Sequence, residues 1–529
     1  MPVVSRSKSR RSKSSNNIGT ENSGNQSTGH HHTSFFSHIF DSLFHAIKSS
    51  NRHSSSTDKC NQANQSPNAN NTIRQQRPKY QSRMSKLMLV NHNNHNNSTN
   101  SNGKSRKFEG VFPLTNLPEE LIIRISQSFN LDMIYNLSLV SRDMYRLVQD
   151  VGLWKFNVEK QWMPQANKMS LLAQEGLTDF SWKNYYHLRE ITSGKGVVSA
   201  ISLRIKGPGP SARYQHTGTV VGSSIYYIGG QETQLRRFSD IFRYDTETHR
   251  FHRVHVNGGK VPKFARHTSV SVGNKIYVFG GFDGSGVYFD LSIFDTETFS
   301  WTSPVVHGKP PRSRTNHASA VIGSKLYVFG GINRDSRWEL QDLDEFYVFD
   351  TQTMTWSEVE AKGDLPSSRC GHRLVTVGTK LYMFGGGAGD SWKERFNDIH
   401  IFDTITSEWR HVPSNQLVQV CTFSCVFLIG HLVGVFGGQH LIKGKVTKKL
   451  YFFDTISETW SKQVFHHGVP SPRDMASADV VGDKVYMFGG YDGRAMDDLT
   501  VMSFSTELRT LLQHFKPLTN INQHSKLEI

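Results

Sequence analysis

Between residues 225 and 490 the chain runs six times through a short apolar stretch and ends it on two glycines: Gly229-Gly230, Gly280-Gly281, Gly330-Gly331, Gly385-Gly386, Gly437-Gly438 and Gly489-Gly490. The first glycines lie 51, 50, 55, 52 and 52 residues apart. The stretches are brief and rich in β-branched and aromatic residues, which predicts strands buried on both faces. The next segment of each unit, as at 398–403, alternates polar and apolar and predicts a second, antiparallel strand. Upstream, at 112–160, the apolar period becomes helical. Leu121, Ile122, Ile125 and Phe129 make one stripe, Met133, Ile134 and Leu137 a second, and Val140, Met144, Leu147 and Val148 a third. Residues 1–110 carry few apolar positions and are rich in Ser, Asn, Gln and His. They cannot bury enough surface to offset ordering entropy, so a disordered tail is expected.

Other residues keep step with the glycines. Asp-Thr pairs stand at Asp245, Asp295, Asp350, Asp403 and Asp454, each followed six residues on by Phe251, Trp301, Trp356, Trp409 or Trp460. Sixteen residues before a glycine pair comes Arg213, Arg314, Arg369 or Arg473, and thirteen before comes His216, His267, His317 or His372. A fixed period near fifty residues predicts a repeat array of four-stranded sheets packed in a ring. Asp-Thr starts a turn, and the aromatic opens the outer strand and wedges between neighbouring sheets. The last repeat has Arg509 where its Trp should fall. The surplus strand at 197–205 is therefore expected to complete the last sheet, with 508–515 as the alternative. These repeats resemble kelch motifs, and the resemblance implies a mainly β, six-bladed kelch propeller over 197–515.

Net charge is +16, from 61 basic and 45 acidic residues. Sixteen basic and four acidic residues fall within 1–110, so the basic character belongs to the tail and gives no reason to place nucleic acid on the propeller. Three islands stand out in the tail. Residues 6–13 are basic, a solvated segment or an import signal. Residues 35–47 place Phe36, Phe40, Leu43, Phe44 and Ile47 on one helical face, and His30, His31 and His32 reflect composition. No apolar leader follows the N-terminus, and no membrane span is expected. The apolar window at 418–436 reads as two strands around a turn near Gly430. Four cysteines are too few for a disulfide framework or a zinc site. Cys421 and Cys425 fall on one predicted strand as small core residues. A reducing compartment fits, cytoplasmic or nuclear.

The helical segment resembles an F-box. Leu117-Pro118-Glu119-Glu120, Leu137-Ser138-Leu139-Val140, Arg142 and Leu153-Trp154 follow that family's order and spacing, with Met144 where the family carries an aromatic. Glu119 and Glu120 suit a helix start, after a proline and the capping candidate Asn116. The resemblance implies docking on the S-phase kinase-associated adaptor and, through it, a cullin, with Leu117, Pro118, Leu121, Ile125, Leu139, Val140 and Trp154 facing the adaptor or supporting the face that does. Residues 161–196 are too apolar for a free linker, and a helix around 179–190 should pack on the F-box or the propeller. The expected organisation is a 1–110 tail, an F-box at 112–160, a helical linker at 161–196, the propeller at 197–515 and a loose end at 516–529.

A catalytic propeller would need a nucleophile–base pair or opposed carboxylates at one mouth, and the sequence offers neither, nor a cofactor or metal set. The histidines are periodic, so a strand residue bonded to a neighbouring blade explains them. Binding is the better reading. Kelch families that bind peptides use the loops after the glycines and before the first strands, often through arginines. The matching positions are Arg213, Tyr214, Arg266, Phe282, Arg314, Asn316, Arg334, Arg369, Arg473, Tyr491 and Arg494. Arginine forks suit an acidic or phosphorylated target, although the periodic ones equally suit pairing with blade carboxylates. Arg266, Arg334 and Arg494 break the period and are expected to be exposed. The function implied is substrate recognition for an SCF-type ubiquitin ligase. The alternative is a kelch scaffold for a small GTPase or a cytoskeletal partner.

Overall fold

Each apolar run forms the second strand of an antiparallel sheet. In the third repeat Ala318–Ile322 pairs with Lys325–Phe329, that strand with Phe346–Asp350, and that one with Thr355–Glu358. Six such sheets form a six-bladed β-propeller in this computed structural model. The model describes residues 117–129, 131–162, 181–193, 196–203, 208–287, 290–334, 339–389, 393–413, 420–440 and 445–513. The expectations for the 1–110 tail, including its three islands, and for 516–529 lie outside these residues.

The repeat residues hold the ring as their chemistry dictates. Asp245 Oδ1 accepts the backbone N–H of Glu247 and Thr248 and so closes the turn between the third and fourth strands. Thr246 Oγ1 donates to the Ser223 carbonyl and ties that turn to the one between the first and second strands. Thr296, Thr351, Thr404 and Thr455 repeat the bond to Asn274, Ser324, Thr379 and His431. The outer-strand aromatics reach back to the preceding blade. Trp356 lies 5.1 Å from Phe279, Trp409 5.7 Å from Phe329 and Trp460 5.9 Å from Phe384. Phe251 lies 5.7 Å from Phe488, which carries the same contact across the junction of first and last blades. His267 and His317 bond Thr217 and Thr268 of the preceding blade, and His216 and His372 pack on Phe488 and Phe329.

The ring closes through Val198–Leu203. This strand pairs antiparallel with Leu499–Phe504 and parallel with Phe465–His467, taking the outer place in the sixth blade. The alternative segment is helical instead, Thr506–Gln513, with Leu508 and Leu512 buried. The apolar window forms Cys425–Ile429 and Leu432–Phe436 around Gly430. Cys421 belongs to a separate strand, Val420–Thr422, because Phe423 adopts a φ of 55° and breaks the run.

Ahead of the propeller come α1 (Glu119–Ser126), α2 (Leu131–Ser138), α3 (Arg142–Leu147), α4 (Val151–Trp162) and α5 (Trp182–Thr192). Pro118 precedes α1 and no side chain caps it, whereas Ser141 Oγ caps α3 by accepting from Met144 N. The sequence pattern predicted three helices before the linker. A fourth forms because the apolar positions Leu153, Trp154 and Val158 continue at helical spacing and are buried. Buried residues of α1–α5 share one hydrophobic cluster with blades five and six, including Trp154, Tyr185, Leu188, Phe427, Leu432 and Met502.

Candidate functional site

The segments that enter the inner strands carry six residues in the left-handed region: Gln215, Arg266, Asn316, Gly371, Phe423 and Met475, with φ between 53° and 66°. That conformation costs a non-glycine residue about 1–2 kcal/mol. Here it aims each N–H around the axis at the carbonyl of the preceding blade. Arg266 donates to Gln215 at 3.0 Å, Asn316 to Arg266 at 3.0 Å and Gly371 to Asn316 at 2.8 Å. Phe423 donates to Gly371 at 2.8 Å, Met475 to Phe423 at 3.0 Å, and Gln215 closes the circle on Met475 at 2.9 Å. These six bonds form a belt around a polar channel of about 190 Å³, whose walls include Thr217, His267, Thr268, Arg373, Ser477 and Asp479. Burial pushes the Asp479 carboxyl up to about 7.

The four periodic arginines are not at the mouth, which corrects their expected role as ligand contacts. Arg213, Arg314, Arg369 and Arg473 are at most 1% exposed. Each donates Nη1 to the carbonyl of the first glycine of its own pair, Gly229, Gly330, Gly385 or Gly489, at 2.9–3.0 Å. Each also pairs with a carboxylate of the third strand or the loop before it: Asp240, Glu345, Asp398 or Asp498, at 2.5–2.8 Å. The sixteen-residue spacing is thus the spacing of an intrablade bond. A left-handed glycine leaves its carbonyl pointing inward, and the guanidinium satisfies it.

Arg266 and Asn316 lie on the wall of this channel, and the loops after the glycines bring further cationic and aromatic groups together. Phe282 lies between two guanidinium groups, Arg237 at 4.8 Å and Arg266 at 5.6 Å from its ring centre. Arg266 also donates to Gln215 Oε1 at 3.2 Å and to Gln234 Oε1 at 3.3 Å. Tyr214 and Tyr491 meet at 4.9 Å across the first and last blades, with the Tyr214 hydroxyl accepting from Gln231 Nε2 at 2.7 Å. Arg494 is exposed on the blade-six loop, whereas Arg266, also expected to be exposed, is half-buried and held by Gln215 and Gln234. Asn316 is buried in the belt and only 8% exposed. Arg334 ends the short strand Ile332–Arg334, and its side chain is outside the described set. Arg237 was missed by sequence reasoning. The adjacent basic residues Arg236 and Arg237 in the first post-glycine loop were the available signal.

In the helical unit, Leu117, Leu121 and Ile125 are half-buried, Pro118 is exposed, and Leu139 and Val140 are 64% and 40% exposed. Trp154 is buried and so belongs to the support. Its Nε1 donates to the Val148 carbonyl at 2.7 Å and its ring meets Tyr186 of α5 at 5.3 Å. Of the fourteen large apolar side chains exposed among the described residues, six fall between 135 and 156: Tyr135, Leu139, Val140, Tyr145, Val151 and Phe156. That concentration marks the unit as a protein-binding surface. The opposite side is fixed to blade five. Asp454, fully buried, accepts from Tyr185 Oη at 2.7 Å and Arg189 Nη1 at 3.0 Å. Burial alone would push Asp454 up, but Arg189, His431 and Tyr185 hold it below the usual carboxylate value. Arg189 Nη2 reaches Thr459 and Gln463 Nε2 reaches the Thr192 carbonyl.

The KLHDC2/KLHL20/DRC7 kelch-repeats domain profile matches residues 197–386 and 316–513, well over half of the chain. The chain belongs to this kelch-repeat family. The F-box profile matches 114–156, so an F-box precedes the kelch propeller. Human Kelch domain-containing protein 3 is 28% identical over 363 residues, 63% of this chain and 81% of that protein. The bovine Rab9 effector protein with kelch motifs is 33% identical over 201 residues, 36% of this chain and 53% of its own. N-(sulfonatooxy)prop-2-enimidothioate sulfolyase of Thlaspi arvense is 37% identical over 157 residues, 28% of this chain and 44% of its own. An F-box joined to a kelch propeller is the architecture of protein-binding adaptors, typically non-catalytic receptors. Among the described residues no helix is long and apolar enough to cross a membrane. The free thiols of Cys370 and Cys425 are buried, and burial pushes both up, Cys425 to about 11. Neither is a thiolate near neutral pH.

Proposed function

We propose that this kelch-repeat protein is the substrate-recognition subunit of an SCF-type cullin ubiquitin ligase. The F-box docks the S-phase kinase-associated adaptor, and the propeller mouth holds the target. The chain makes and breaks no bonds; it acts by holding the target near the ubiquitin-charged enzyme. The observation that carries this reading is the exposed apolar surface of α2–α4 on a unit whose other side shares a core with the propeller. A rigid join keeps the target at a set distance and angle from the adaptor. Arg237, Phe282, Arg266, Tyr491 and Arg494 supply cationic and aromatic contacts for an acidic or phosphorylated segment of the target.

The name of the bovine relative favours a second reading, a kelch scaffold on a small GTPase. One experiment separates them. The full chain is purified from cells with its partners, beside a Leu139→Asp/Val140→Asp variant and an Arg266→Ala/Arg494→Ala variant. Adaptor and cullin should come down with the wild type, be lost with the first variant and stay with the second. If they are absent from the wild type, or persist with the first variant, the receptor reading fails. Loss of the remaining partner with the second variant alone locates the target at the mouth.

A further inference from the structure

We propose that Asp398, His400 and His411, on the outer half of blade four, form a binding site for a divalent transition metal of the zinc class. The strand Glu394–Asp403 pairs with Glu408–Val412, and the register sets His400 directly opposite His411. Directly opposed residues share a sheet face, and Asp398, two positions from His400, lies on the same face. One donor atom from each of the three lies within 4.8 Å of the others. The two imidazole rings are 5.0 Å apart, and His400 Nδ1 is 3.5 Å from Asp398 Oδ2. Two ligands on a tetrahedral zinc, with bonds of about 2.0–2.1 Å, sit about 3.4 Å apart, so this pair is already spaced for it. His411 is exposed and can turn its ring inward to complete the set.

His400 carries the argument further. It is only 6% exposed, and its Nδ1 has no hydrogen-bond partner. A buried ring nitrogen left without a partner is costly unless something occupies its lone pair. Arg369 grips Asp398 through Nη1 at 2.8 Å and Nη2 at 3.0 Å. That pair fixes the carboxylate while each oxygen keeps a second lone pair, the arrangement by which outer groups orient a metal ligand. Asp364, whose Oδ2 accepts from His411 N at 3.1 Å, adds a second negative charge. Two carboxylates against one guanidinium leave the site net negative. Two imidazoles and a carboxylate select zinc, cobalt, nickel or copper over calcium and magnesium. A bound ion would clip the third and fourth strands of the blade together.

The test uses the full chain with His30, His31 and His32 changed to Ala, so that the tail cluster does not take the ion. Cobalt(II) is titrated into this protein and into the same protein carrying His411→Ala, followed by displacement with zinc(II). The expected result is one extra equivalent of cobalt with tetrahedral visible absorption, lost on zinc addition. His411→Ala should weaken that equivalent by about 100-fold or more. Zinc should raise the melting temperature of the parent and not of the variant. Equal stoichiometry and affinity in the two proteins, or no tetrahedral absorption in the parent, overturns the site.

Discussion

A guanidinium buried in a blade and one on its rim both belong to segments flanking a glycine pair, and their energetics are opposite. Arg213 is sealed between the Gly229 carbonyl and Asp240, with Phe238 4.2 Å beneath its guanidinium. Removing it leaves a carboxylate and a carbonyl unpaired. Arg213→Ala should therefore destabilise by about 3–5 kcal/mol in a urea unfolding series, whereas exposed Arg494→Ala should shift the midpoint little. Asp479 gives a pH signature. Its folded value is about 7, against an ordinary carboxylate value near 4, so the folded state holds a proton that the unfolded chain releases. Stability is present at low pH on this account and is lost as pH rises from about 4 through about 7. The depressed histidines, such as His267 at about 3, act in the opposite direction, so the slope is read as a difference. Asp479→Asn should be more stable than wild type at pH 8, and the gap should close toward pH 4. An equal gap at both pH values would refute this reading.

At the scale of elements, the joins matter more than the strands. Val198–Leu203 is the one strand that reaches blade six from the other end of the propeller sequence, and it lies between two hydrogen-bonded neighbours. A proline there removes ladder bonds and cannot be absorbed at an edge. Ala200→Pro should cost about 3 kcal/mol or more and lower the melting temperature of the propeller as one unit. Helix α5 joins the F-box to blade five through Tyr185, Arg189 and Thr192. Arg189→Ala leaves Asp454 buried with less compensation, and α5 amides should exchange with deuterium faster while those of blade three keep their protection. Both joins were partly legible. The missing Trp of the last repeat exposed a vacant outer strand, and the aromatic run after residue 179 showed that the linker could not be free. The partner of α5 was not legible. Asp454 looks in sequence like every other Asp of its repeat, yet it alone among the five is buried.

For the whole molecule, the array decides the shape and the preceding helices decide how it is used. Six alike sheets close as the outer-strand aromatics of blades one, three, four and five pack on the preceding blade, and a left-handed residue from each blade completes the belt of hydrogen bonds. The F-box shares its core with blades five and six, and its exposed apolar side chains lie on and between α2–α4. The sequence by itself determined the number of blades, the strand order within each and the helical unit, and it left 197–205 and 508–515 as candidates for the strand that shuts the ring. All of these rest on local periodicity and on turn chemistry within about fifty residues. Only the tertiary structure decided which arginines are buried within a blade, which candidate strand closes the ring, which repeat Asp anchors α5, and that His400 meets His411. Those outcomes depend on cross-strand register and on contacts such as Tyr185 to Asp454, 269 residues apart, and no local pattern records what a side chain will meet at that distance.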